Sequence, residues 1–479
     1  MPTTSDSINA HPYTREYSFE HQRFGHRPLL GTKFARIALV DCNNFYVSCE
    51  RAINPRLRKV PVAVLSSNDG CFIARSQEVK DLGLPMGTPF FKVRDLVAKH
   101  HIRVLSANWG LYEEYSLKVM QFLREHAPLV EVYSIDEAFL DLSGMERFFD
   151  LERFSQRLRA DLLEAHDIPI SVGISTSKTL AKLANKRAKK ARTTYVDILT
   201  DERDIANVLK QTPVDELWGI GRQLSRRLAK LGIENAHEVA YQGAEVFAKH
   251  TTIVQKRMQR ELQGYYTVPI EPEFIAKQMI GASRSFGKEQ HSLEQLRSPI
   301  ANFVTRACRK LHLQASAAGV ISVSLRTNPH KGDQPVRRAG ASVRLPTPSA
   351  YPPEILRYAL QALEEAYVRA RKQARGEKIY FKKAGVMLSE ITQTTQLQGN
   401  LFDDTNRRKI ERELALIRFV NDMNYAPDQP DVTWAAFQRY AQYTDWEPLS
   451  AHREGGEAIS GDFVSELDEN GKKVIRAWW

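Results

Sequence analysis

The run Val130-Glu131-Val132-Tyr133-Ser134-Ile135-Asp136-Glu137-Ala138-Phe139-Leu140-Asp141-Leu142 places two short β-like stretches on either side of an acidic pair. A core cannot absorb adjacent carboxylates, so such a chain must bring them to the rim of a sheet and supply cations. A second apolar run, Ile37-Ala38-Leu39-Val40, is short enough for a buried strand and ends on Asp41. Lys178 to Arg192 has helical spacing and carries seven Lys/Arg with no acid. Carboxylates at strand ends beside a basic helix suit two-metal phosphoryl transfer, in which two Mg²⁺ ions ~3.5 to 4 Å apart share anionic oxygens. Mg²⁺ favours one or two carboxylates plus substrate phosphates over a complete protein cage. An isolated Asp-Glu, by contrast, is usually no more than a polar turn.

At 479 residues the chain calls for three or four domains. A net charge of +11 fits an acidic partner, nucleic acid first, although an anionic membrane surface or plain solubility gives the same sign. Cys42, Cys49, Cys71 and Cys308 form no C-x-x-C pair and no zinc spacing, and are expected as reduced thiols of a cytosolic protein. No stretch approaches the ~18 to 20 apolar residues of a bilayer span. Residues 1–33 lack an apolar signal region and are expected to be a flexible extension.

A strand, turn and strand are predicted where Val60 to Leu65 meets Asn68-Asp69-Gly70 and Cys71 to Ala74. Helices are predicted over Ser76 to Leu82, Leu111 to Glu125 and Leu151 to Ala165, a strand over Ile168 to Ile174, and short helices from Ile205 to Gly264. Val268 to Glu273, with two prolines and no periodicity, resembles a linker. Beyond it come a strand over Ile280 to Phe286, a helix over Leu293 to Leu313, and strands over Gly319 to Thr327 and Gly340 to Leu345. A helix over Pro353 to Lys372 and a strand over Tyr380 to Leu388 complete a β-α-β-β-α-β module.

Three of these segments resemble motifs of the Y-family lesion-bypass DNA polymerases. Ser134 to Asp141 resembles their S-I-D-E-A motif, and Val40-Asp41-Cys42-Asn43-Asn44-Phe45-Tyr46, ~95 residues earlier, resembles the motif that opens their palm. Val172-Gly173-Ile174-Ser175 through Lys178 to Ala184 resembles the third. The resemblance runs from about Phe34 to Phe402; Arg284-Ser285-Phe286-Gly287 and the Asn-Asp-Gly-Cys turn favour the polymerase V (UmuC-type) branch over polymerase IV. It implies a multidomain α+β right-hand fold. The palm is expected at 34–44 and 100–195, the fingers at 45–99, and a helix-hairpin-helix thumb at 196–266. A linker at 267–278, a little finger at 279–396, a clamp-binding peptide at 397–404 and a tail at 405–479 follow.

The same resemblance implies error-prone translesion synthesis in an SOS-type damage response, in the cytoplasm and on the nucleoid when acting. Asp41, Asp136 and Glu137, with the backbone carbonyl of Cys42, would hold two Mg²⁺ ions, for which Mn²⁺ can substitute. Phe45 and Tyr46 would lie under the sugar of a dNTP, Tyr46 as the steric gate. Lys182, Lys80 and, more weakly, Arg75 would meet its triphosphate. The family's tyrosine two residues before the alanine-arginine pair is Gln77 here, so that contact does not carry over. Gly219 and Gly221, opening a helix over Arg222 to Leu231, would bind a phosphate of primer-template DNA. Arg284 and Arg344 are candidate DNA contacts of the little finger. Gln398, Leu401 and Phe402 resemble a peptide for the bacterial sliding clamp, with Gly399 in place of the usual leucine. A UmuD′-type dimer and a recombinase filament are the further partners of that branch, but the tail lacks the basic ending expected for them. Two other classes share the acidic triad: a nucleotidyl cyclase, which needs neither hairpin nor clamp peptide, and a catalytically silent DNA- or clamp-binding regulator.

Overall fold

The computed structural model describes residues 29–66, 69–242, 252–271, 276–331 and 337–396. They fall into two compact units, 29–271 and 276–396.

In the first unit β1 (Ile37–Cys42) is the middle strand of a five-stranded sheet. Its order is β5 (Leu129–Val132), β6 (Glu137–Asp141), β1, β7 (Ile170–Ser175), β8 (Val196–Leu199). β1 runs antiparallel to both neighbours, and β8 pairs parallel to β7. Successive side chains on a strand point to opposite faces. Ala38, Val40 and Cys42 enter a core with Val119, Met120 and Leu123 of α4 (Trp109–His126) and Leu158 and Leu162 of α5 (Leu151–His166). Ile37 and Leu39 meet Phe139 and Ala181 on the other face, where α6 (Lys178–Ala191) lies. A strand covered on both sides reads as an unbroken apolar run, which is how β1 looks in sequence.

Gly173 sets how close α6 comes. A Cβ at that position would stand 2.0 Å from the amide nitrogen of Asn185 and 2.5 Å from the carbonyl oxygen of Ala181. Asn185 stitches the helix to the sheet, donating from Nδ2 to the carbonyls of Leu39 (3.1 Å) and Ser171 (2.9 Å).

A three-stranded sheet is built from β3 (Phe72–Arg75), β2 (Val62–Leu65) and β4 (Arg103–Ser106). β2 and β3 are antiparallel, as their intervening turn predicts, and β4 adds parallel to β2. β4 thus pairs within this small sheet and β8 within the five-stranded sheet. Each of these strands is four residues long, too short to show a period.

The rest of the unit is helical: α1 (Phe45–Ile53), α2 (Gln77–Asp81), α3 (Arg94–Lys99), α7 (Glu202–Gln211), α8 (Arg222–Ala229) and α9 (Ile253–Leu262). Leu209, Leu217, Ile220, Leu228 and Leu262 share one core. α9 is fastened to α6 by buried Glu261, whose Oε2 accepts from the backbone N–H (3.1 Å) and Oγ1 (2.6 Å) of Thr179 in the first turn of α6. An anion is favourable at that end of a helix. Lys178 donates to Glu131 (2.5 Å) and to the Pro269 carbonyl (2.7 Å), and the Glu271 N–H reaches the same Glu131 oxygen (2.7 Å). The first residues of the predicted linker are thus pinned to the sheet.

The second unit has β9 (Ile280–Gln290), α10 (Leu293–Leu313), β10 (Ser316–Thr327), β11 (Arg338–Ser349), α11 (Pro352–Gln373) and β12 (Phe381–Gln393). This is the predicted β-α-β-β-α-β order, folded as one antiparallel sheet β11-β10-β12-β9. α10 and α11 share a core with one face through Leu296, Phe303, Ile321, Val323 and Leu363. Across the strands Arg338, Arg326 and Lys383 stand in register as a cationic row. Among the described residues no helix is long and apolar enough to cross a membrane.

Candidate active site

Strand parity builds the site. Asp41 lies on the same face of β1 as Ile37 and Leu39, the face toward α6, and is the direct register partner of Glu137 on β6. The Cys42 N–H donates to the Asp136 carbonyl at 2.9 Å, which holds Asp136 at the same sheet edge. Like charges directly opposite on neighbouring strands repel. α6 answers with two lysines on one helix face, seven residues apart. Lys189 Nζ is 2.5 Å from Asp41 Oδ1, and Lys182 Nζ is 3.0 Å from both Glu137 oxygens. Asp136 Oδ1 accepts from Ser134 Oγ at 2.7 Å. The Asp41 carboxyl is pushed up to about 6, first by burial, with Lys189 opposing and Glu137 and Asp136 reinforcing.

Among the described residues, no three His, Cys, Asp or Glu side chains are gathered to hold a metal ion by themselves. The three carboxylates come together along the chain and the sheet, but each turns its oxygens to a partner of its own. Mg²⁺ requires only one or two protein carboxylates when phosphates complete its shell. Asp41 and Glu137, opposed and accessible to cationic ends, fit that requirement.

Tyr46 is half-buried, stacked on Tyr112 at 4.5 Å and edge-on to Trp109 at 5.5 Å, so its ring is fixed in place. The Phe45 side chain, expected beside the sugar, is 3% exposed and packs in the core. The Cys42 thiol is buried and pushed well above the thiol range by that burial, so only its backbone could serve. Lys80 keeps access to solvent. Partial burial depresses its ammonium first, followed by the positive charges of Lys189 and Arg75. Arg75 donates to the Leu84 carbonyl, while its buried Nε has no partner. Lys182, expected to meet triphosphate, lies at the site paired with Glu137. The lysine at Asp41 is Lys189, which the sequence hid among seven basic residues; its only signal was the spacing from Lys182.

Gly219 has φ 87°, which favours glycine, and turns the chain into Gly221 at the start of α8. A Cβ at Gly221 would meet nothing within 4 Å, so the backbone there faces open space. In the second unit Arg284 is half-buried, its pKa lowered by that burial and then by Arg306. Arg344 is exposed and paired with Glu390. Gln398, Leu401 and Phe402 lie outside the described residues.

The chain matches the family model of the impB/mucB/samB family over residues 40–186, its C-terminal domain over 277–401 and its helix-hairpin-helix motif over 202–233. Protein UmuC of Salmonella typhimurium is 38% identical, covering 78% of this chain and 86% of that protein. Protein SamB of Salmonella typhimurium is 36% identical over 81% and 90%. DNA polymerase IV of Moorella thermoacetica is 29% identical over 60% and 72%. Among solved structures, a Y-family DNA polymerase chimera of Dbh and Dpo4 superposes with a TM-score of 0.61 at 20% identity, covering 75% of this chain and 99% of that one. With the carboxylate-bearing sheet, the hairpin and the split sheet module in the expected chain order, the chain belongs to the impB/mucB/samB family, as a UmuC-like member of the Y-family DNA polymerases.

Proposed function

We propose that this chain copies damaged DNA templates in an SOS-type response, joining a dNTP to a primer end by two-metal nucleotidyl transfer. The observation that carries the reading is the opposed pair Asp41 and Glu137 at adjacent strand ends, with Asp136 beside them and α6 lysines facing them. The primer 3′-hydroxyl attacks the α-phosphate and pyrophosphate leaves. Mg²⁺, or Mn²⁺ in its place, supplies when bound an acidified hydroxyl and counter-charge for the phosphates, with Asp41, Asp136, Glu137 and the Cys42 carbonyl as its holders.

The chain's own groups do the rest. Lys189, Lys80 and Arg75 form a cationic wall for the triphosphate, and Lys189, paired with Asp41 here, would turn to the phosphates were that carboxylate to hold a metal. The first turn of α1, without a side-chain cap, adds backbone donors for the same anion. Tyr46, braced by Tyr112 and Trp109, blocks a ribose 2′-hydroxyl. In this reading the five-stranded sheet is the palm, the three-stranded sheet the fingers, and α7 to α9 the thumb. The Gly219–Gly221 turn grips a DNA phosphate, and the second unit follows the duplex as the little finger. Gln398, Leu401 and Phe402 dock on the sliding clamp, while a UmuD′-type dimer and a recombinase filament are the partners to supply in an assay. The chain acts in the cytoplasm, on the nucleoid.

Primer extension opposite an abasic site tests this. Wild type extends the primer, and Asp136→Asn loses at least about 10³-fold in rate, a barrier increase of roughly 4 kcal/mol. Equal synthesis by the variant, or none by wild type with every partner present, overturns it.

A further inference from the structure

Lys182 is held more elaborately than a lysine that only balances a carboxylate. Its ammonium is 3.0 Å from both oxygens of Glu137 and is boxed by three rings: Tyr133 at 4.6 Å, Trp218 at 5.4 Å and Phe139 at 5.7 Å. The rings brace one another. Tyr133 meets Trp218 edge-on at 5.5 Å and 85°, and Trp218 Nε1 donates to the Tyr133 hydroxyl at 3.0 Å. Phe139 lies two residues beyond Glu137 on β6, and Tyr133 four residues before it. Trp218 comes from far along the chain and immediately precedes the Gly219–Gly221 turn. An ammonium over several aromatic faces is strongly localised when partly desolvated, and Lys182 is only 17% exposed.

We infer that Lys182 is a positioning residue for Glu137, and that Trp218 makes its seat depend on the hairpin that holds the DNA. The inference rests on the polymerase reading of the site. A phosphate seated at the Gly219–Gly221 turn fixes Trp218, which holds the box around Lys182, which aims the Glu137 oxygens. Two jobs separated by 82 residues, 137 to 219, thus share one mechanical link.

Mn²⁺ binding to the full-length chain on primer-template DNA, read by loss of the free-ion paramagnetic resonance signal, is the test. Lys182→Met keeps the length of the side chain and suits an aromatic box; thermal melting checks its fold. It is expected to weaken Mn²⁺ binding about tenfold, as loss of an outer-shell partner does, with duplex affinity unchanged. The half-saturating Mg²⁺ for synthesis rises in step. Trp218→Leu shifts Mn²⁺ binding the same way, and Trp218→Phe, which keeps a ring but loses the N–H, shifts it less. A Lys182→Met isotherm superimposed on wild type overturns the positioning role. Weakening by Lys182→Met with none by Trp218→Leu overturns the link to the hairpin. If wild type and Asp41→Ala bind Mn²⁺ alike, the polymerase reading has failed instead.

Discussion

The two units hold their cations in opposite ways. On α6, Lys178 is 3% exposed against Glu131 and over Phe139, and Lys182 is seated on Glu137 in its aromatic box. On the four-stranded sheet Arg344 is 69% exposed against a half-exposed Glu390, and Arg338, Arg326 and Lys383 line up across strands. Breaking a buried pair strands a charge in a poor solvent, whereas exposed pairs contribute little. On α6 these two charges therefore have an address, and losing one is a local injury. Along the exposed row of the second unit the sum over the surface counts, which suits contact with phosphates irrespective of base sequence.

The contrast is sharpest at Lys178. Glu131→Ala is expected to destabilise the chain by about 4 kcal/mol in urea unfolding, and Lys178→Met added to it to restore most of the loss. A Glu131→Ala variant that unfolds like wild type would erase the distinction between the units. Glu50 gives the converse case, a buried acid whose recorded partner is a phenol, the Tyr112 hydroxyl at 2.7 Å. Burial pushes its carboxyl up to about 7 from 4.5. Its contribution is fully present below pH 4.5 and is lost as pH rises toward 7, because the native state then gives up a proton it had held more tightly than the unfolded chain. Glu50→Gln should gain about 3 kcal/mol over wild type at pH 8 and nothing at pH 4; unfolding midpoints at the two pH values measure it.

Gly173→Ala pushes α6, with all its addressed lysines, off the sheet. About 2 kcal/mol of stability and a larger share of synthesis should go together; synthesis at the wild-type rate would mean that α6 need not sit so close. The smallest effect belongs to the second unit. Arg344→Ala should change stability by less than about 0.5 kcal/mol. Replacing Arg326, Arg338 and Lys383 together by alanine should flatten the salt dependence of DNA binding by roughly three phosphate contacts. A large loss from Arg344→Ala alone would give that arginine an address too.

Much of this was legible in sequence where short-range pattern carries the information. β1 shows as an apolar run closed by Asp41, the acidic pair marks the β5–β6 hairpin, and α10 keeps its predicted ends at Leu293 and Leu313. What escaped depends on residues that meet only in space. β4 and β8 are edge strands of four residues whose pairing is decided by a distant neighbour. Lys189 looked like six other basic residues until the register of α6 on β1 selected it. The box around Lys182 draws rings from two β-strand segments and a hairpin, and Arg344 meets its acid from two strands away, beyond β10. Phe45 and Tyr46 are consecutive, and on a helix consecutive residues do not share a face, so only one could point at a ligand.

The cysteines offer a practical return. Cys42, Cys49 and Cys308 are buried, while Cys71 is partly exposed at the start of β3 in the small sheet. A maleimide dye added to the unmodified chain should therefore mark a single place. It would report on the surroundings of that sheet without any thiol having been engineered in or out.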